Sequence, residues 1–190
     1  MRIYEFKLIM KRIFKIAGIT IGIIIIFILV TALFINKEYV VERNIMVFKP
    51  KQEIFDYVRY LKNQSDFSVW AKIDPEMQMR YTGTDGKVGF VSAWDSPVRE
   101  AGKGEQEIVK LDEGNRIDYV VRFLKPMRST DNAYFVFKGM QDSTTMVTWG
   151  FTGRINYPVN AMLLFMNMED IVGNDLEQGL YNLKEILEAH

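Results

Sequence analysis

Hydrophobic positions along this chain change their spacing several times, and each change predicts an element. Ile16–Ile35 is twenty residues without a charge and apolar on every side. As a helix at about 1.5 Å per residue it is roughly 30 Å long, the thickness of a bilayer's hydrocarbon core. Tyr39–Phe48 then alternates, with Val41, Arg43, Ile45 and Val47 on one side, and its β-branched content predicts a strand. Pro50 suits a helix start. Ile54, Phe55, Val58 and Leu61 follow at helical spacing, and a further turn around Ser65–Ala71 ends before Asp74-Pro75. From Met77 the period becomes two. Met77–Thr82 pairs with Val88–Trp94, Gln106–Leu111 with Ile117–Leu124, and Ala133–Lys138 with Thr145–Thr152, each pair across a Gly-containing turn. Pro158 opens a methionine-rich stretch, Met162–Met168, which Gly173 is expected to break. Val172, Leu176, Leu180, Leu183 and Leu187 then form one stripe of a closing helix.

One strand, two short helices, six strands and a long helix is the order of a helix-grip domain. The expected architecture is α+β: a curved antiparallel sheet of about seven strands wrapped on a C-terminal helix, preceded by one transmembrane helix. The divisions are a basic tail over residues 1–15, the membrane helix over 16–36 and the folded domain over 37–190.

Charge orients this arrangement. The tail carries Arg2, Lys7, Lys11, Arg12 and Lys15 against Glu5, while the fifteen residues after Ile35 hold only Lys37, Arg43 and Lys49 as cations. The positive-inside bias keeps the tail cytoplasmic and the domain extracytoplasmic, a single-pass protein. A cleaved signal peptide ending near Val30-Thr31-Ala32 and a buried core helix are the competing readings. The first asks for a shorter apolar stretch, and the second for one polar face. Gly18 and Gly22 form a small-xxx-small pair, common in membrane helices, so oligomeric state stays open. Overall the 24 basic and 24 acidic residues cancel, which disfavours nucleic acid as a partner. The chain has no cysteine, which excludes disulfides, thiolate catalysis and zinc–thiolate sites.

Five segments carry a family resemblance: Phe55-Asp56-Tyr57-Val58, Gly102-Lys103-Gly104-Glu105, Ile117-Asp118-Tyr119 through Phe123-Leu124-Lys125-Pro126, Thr145–Gly153 (TMVTWGFTG) and Gly173–Lys184 (GNDLEQGLYNLK). In this order the chain from Tyr39 to Ala189 resembles the START-like (SRPBCC) superfamily, and within it the polyketide cyclase/dehydrase and lipid transport branch. The resemblance implies a cavity between sheet and closing helix. It does not imply one reaction, since such a fold hosts carriers, enzymes and regulators.

Candidate chemistry is sparse. The single histidine is His190, so metal sites and histidine-based triads lack their residues, and no metal or cofactor is expected. If Val147, Trp149 and Phe151 face the cavity, neighbouring strands should present Tyr119, Val121 and Phe123, and Glu105, Glu107 and Val109. An inward Glu107 beside Tyr119 would be a buried carboxylate fit for proton transfer; the plainer reading is a rim glutamate paired to Lys103 or Arg122. Candidate ligand-wall residues are Trp70, Trp94, Tyr119, Phe123, Trp149, Phe165 and Met166, with Phe90, Phe135, Phe151 and Met162 as further aromatic and methionine positions. For each of them, plain core packing is the bland alternative. The functional expectation is a non-catalytic, membrane-anchored domain binding a lipid or polyketide-like molecule. A cyclase or dehydratase using a cavity carboxylate and a ligand-free partner-binding module are the alternatives.

Overall fold

The computed structural model describes residues 2–141 and 143–189. His190 lies outside them. The chain divides into two compact units. One runs to Lys37 and adds Ile155–Asn167; the other is Glu38–Arg154 with the chain from Met168 onward.

The first unit is dominated by α1, Arg2–Ala32. The expected basic tail is not separate from the apolar helix. No proline interrupts the sequence, and Lys and Arg are good helix formers, so the helix starts at Arg2. Its stretch Ile9–Ala32 is long and apolar enough to cross a membrane, and apart from Ala32 at its end none of it is buried. The helix ends earlier than the apolar run. Leu33 N–H and Phe34 N–H bond to the Val30 and Thr31 carbonyls in a tightening last turn, leaving Leu33–Ile35 beyond it. The rest of the unit is Ile155–Asn167, which contains a 3-10 turn at Val159–Leu164.

The second unit is the sheet and its helix. Strands β1 (Glu38–Val47), β2 (Gln78–Thr82), β3 (Val91–Asp95), β4 (Lys103–Asp112), β5 (Arg116–Lys125), β6 (Ser129–Gly139) and β7 (Thr145–Arg154) form one antiparallel sheet in the order β1-β7-β6-β5-β4-β3-β2. Between β1 and β2 lie α2 (Lys51–Val58), a 3-10 turn at Leu61–Asn63, α3 (Gln64–Phe67) and a second 3-10 turn at Trp70–Lys72. Strand β3 is shorter than its hydrophobic pattern predicts. Gly89 has φ +87° and Phe90 joins β4 through irregular bonds with Ile108, so the ladder proper begins at Val91.

Helix α4 (Met168–Glu188) closes the fold, burying Leu176, Leu180, Leu183 and Leu187 on the expected stripe. Gly173 does not break it. At that point Arg43 of β1 reaches across the helix: a Cβ built on Gly173 would sit 2.1 Å from the Arg43 Nη2. The guanidinium donates to the Glu169 carboxylate and, at 3.1 Å, to the Glu169 carbonyl. Tertiary contact thus overrides a weak local breaker.

Candidate functional site

Side-chain alternation gives the sheet two chemically different faces. The outer face is charged: Arg116 pairs with Asp118 at 2.7 Å, and Tyr134 bonds to Glu42. The inner face carries Val41, Ile117, Tyr119, Val121, Ala133, Phe135, Phe137, Val147 and Trp149, all buried.

Glu107 belongs to the outer face, not beside Tyr119. In the ladder Tyr119 stands opposite Ile108, whereas Glu107 stands opposite Val120 and Glu105 opposite Arg122. Paired residues point the same way, so Gly104, Gln106 and Ile108 are the inward set. A one-residue change of register exchanges the faces of a whole strand, and that separates the conditional inward arrangement from the plainer reading, a rim glutamate paired to Arg122, which is the one observed. Arg122 bridges both acids, 2.7 Å from the Glu107 Oε2 and 3.1 Å from the Glu105 Oε1. Tyr119 is inward as expected. Burial, reinforced by the Asp85 and Asp118 charges, pushes its phenol far above the ordinary range, so it stays neutral.

The aromatic candidates separate into three groups. Under α4 the interior is full: Trp149 stacks on Phe135 at 4.7 Å and meets Phe67 and Trp70 edge-on at 5.7 and 5.8 Å. Gly179 of α4 lies directly on this indole, 2.6 Å from Trp149 Cζ3 to a Cβ built there. Toward the other edge, Trp94 and Phe123 meet edge-on at 6.0 Å and are only partly buried. Gly104 makes room for the Trp94 ring, whose N–H donates to the Ala101 carbonyl at 3.0 Å. Helix α4 lies chiefly over β1, β7 and α3; Ile108, Ile117, Tyr119 and Val121 on β4 and β5 are buried without it, whereas Trp94 and Phe123 at the end of β3–β5 are only partly buried. Phe165 and Met166 are not in the interior cluster; they fall in the first unit and are exposed, Phe165 by 74%.

One buried carboxylate and one half-buried one were not among the candidates. Asp131 on β6 is 5% exposed and shares its face with Ala133, Phe135 and Phe137 at strict period two, a signal present in the sequence. Ser129 Oγ donates to it at 2.7 Å and Arg154 N–H at 3.3 Å. Burial first, and then the Asp131 charge, pushes the nearby Tyr39 phenol up to about 12. Asp175 on α4 accepts a hydrogen bond from Trp70, and burial holds its pKa above the usual carboxylate value. A raised folded-state pKa contributes stability at acid pH, and that contribution is lost as pH rises through it. Asp175→Asn keeps an acceptor for Trp70. It should therefore unfold at higher urea than the parent at neutral pH and match it near about pH 3, below ordinary carboxylate values. Urea titrations at the two pH values check this.

Among the described residues, no group of three or more His, Asp or Glu side chains is placed to hold a metal ion.

No family model matches the chain, and no curated protein matches its sequence. Solved structures do match in fold. A protein from Nitrosospira multiformis aligns with TM-score 0.55 and 17% identity, covering 77% of this chain and 94% of its own. Ara h 8.0201 aligns with TM-score 0.55 and 12% identity, covering 80% and 99%. Protein CV1439 from Chromobacterium violaceum aligns with TM-score 0.55 and 12% identity, covering 78% and 96%. The chain therefore has the helix-grip fold, a curved seven-stranded antiparallel sheet with a C-terminal helix, and an apolar helix precedes it in the sequence.

Proposed function

We propose that this protein is a membrane-anchored helix-grip domain that binds a hydrophobic ligand, a lipid or polyketide-like molecule, without catalysing a reaction. The observation that carries the reading is the placement of α4 over one half of the sheet only, which leaves Trp94 and Phe123 partly uncovered on the inner face of β3–β5. The aromatic packing beneath α4 supports a ligand on that side rather than under the middle of the helix. Apolar area removed from water supplies affinity at about 25 cal/mol per Å² before association costs. Gln106 and the indole of Trp94 border the same inner face. The apolar length of Ile9–Ala32 supports retention in a bilayer, and the cation bias of the tail supports an extracytoplasmic domain. A short path from the bilayer to the domain suits a lipid ligand. Acid–base catalysis has less support, because Glu105 and Glu107 point outward and both Asp131 oxygens accept hydrogen bonds.

The test is uptake of a fluorescent fatty acid by the delipidated full chain in detergent micelles, with native mass spectrometry of what co-purifies. Trp94→Ala and Phe123→Ala should each weaken uptake roughly tenfold or more, the equivalent of about 1.5–3 kcal/mol of buried side chain. Unchanged affinity in both variants, or no uptake by the parent, overturns the proposal.

A further inference from the structure

Residues Ile155–Asn167 carry no charge, although charged residues stand close on either side at Arg154 and Glu169. Met162, Phe165 and Met166 of this stretch are cavity-wall candidates by sequence. In the structure the stretch groups with α1 instead, and Ile155, Ala161, Met162 and Leu163 are half-buried. Tyr157, Val159, Leu164, Phe165 and Met166 are all exposed. Five exposed apolar side chains within ten residues mark a surface that something covers.

What covers it follows from where the segment is fastened. Asn160 is fully buried, and its Nδ2 donates to the Ala32 carbonyl at 2.7 Å, the last residue of the membrane-length stretch. Ile155 N–H donates to the Lys37 carbonyl at 2.8 Å. Both bonds lie within the first unit, and together they hold the segment at the level where α1 ends. A span of bilayer length puts that level at the boundary between hydrocarbon and headgroups. Tyrosine and large apolar side chains without charge are the composition that settles there.

We propose that Ile155–Asn167 is a second membrane contact, seated in the interfacial layer of the bilayer beside the exit of α1. The proposal rests on the reading of α1 as a retained membrane span. The stretch between β7 and α4 then lies in lipid rather than in water, with Phe165 and Val159 inserted and Asn160 tying the backbone to the anchor.

Because the chain has no cysteine, single-cysteine variants can be spin-labelled without further engineering. Phe165→Cys, Val159→Cys, Ile24→Cys and Tyr181→Cys of the full chain, in phosphatidylcholine/phosphatidylglycerol vesicles, are compared for collision with oxygen and with a water-soluble nickel chelate. Tyr181 is an exposed position on α4 and serves as the aqueous reference. Labels at 165 and 159 should show a several-fold higher oxygen-to-nickel ratio than the label at 181. Nickel access at 165 and 159 equal to that at 181 overturns the inference. So does shielding from both reagents, which would mean a protein partner or a second copy covers the segment. The label at 24 separates the two readings: lipid exposure there with aqueous labels at 159 and 165 refutes the second contact alone, whereas aqueous access at 24 refutes the anchor itself.

Discussion

Trp149→Ala is expected to lower the stability of the sheet-and-helix unit by about 3–5 kcal/mol, the usual cost of emptying a buried large aromatic site. The indole is 2% exposed, with aromatic partners Phe135, Phe67 and Trp70 around it. The glycine at 179 lets α4 lie on its edge. Truncation leaves a hole that these neighbours cannot close, because each is held on a different element. A domain with about 5–15 kcal/mol in total would be left marginal by such a loss. Urea unfolding of the full chain in mild detergent, followed by near-UV circular dichroism, should show a lower midpoint at unchanged slope. A loss below about 1 kcal/mol, the range of ordinary substitutions, would mean that the interior is not packed as described.

Gly179→Val is the complementary change, adding atoms where Trp149→Ala removes them. A Cβ at 179 would lie 2.6 Å from Trp149 Cζ3 and 3.5 Å from the Phe67 carbonyl oxygen, so the helix must lift or the indole must move. Overpacking of this kind costs about 1–3 kcal/mol. Gly173 offers an internal control on the same helix. Its close neighbour is the end of the flexible Arg43 side chain, which can swing away, and the change in helix propensity is the same at both positions. Gly179→Val should therefore lower the urea midpoint clearly more than Gly173→Val. Equal effects at the two positions would show that the contact with Trp149 is not the tight one.

Much of the architecture was legible because it is written locally. The alternation of Tyr39–Phe48 appears as β1 in register with β7 from Glu38↔Arg154 to Val47↔Thr145. The leucines at 176, 180, 183 and 187 are the buried stripe of α4. On β4 the plainer of the two readings, rim glutamates paired to Arg122, is the one observed, while the buried carboxylate on β6 was overlooked. Alternation divides a strand into two sets but does not say which set faces in, and β4 shifts register twice, between Lys103 and Gly104 and between Ile108 and Lys110. Asp131 lies in phase with three buried apolar residues on β6, and so was readable in principle. Phe165 and Met166 were candidates for a cavity wall on the strength of the helix-grip resemblance, and neither resemblance nor residue type reveals which unit a segment joins.

By itself the sequence determined a membrane-length apolar helix, the order of strands and helices, and the faces of α4, because each depends on spacing within a few residues. Tertiary structure alone decided that Trp149 fills the space beneath α4, that Glu105 and Glu107 meet Arg122 on the outer face, and that Ile155–Asn167 joins α1. These outcomes depend on strand register and on the shape of elements far apart in the chain, and a local periodicity holds no record of either.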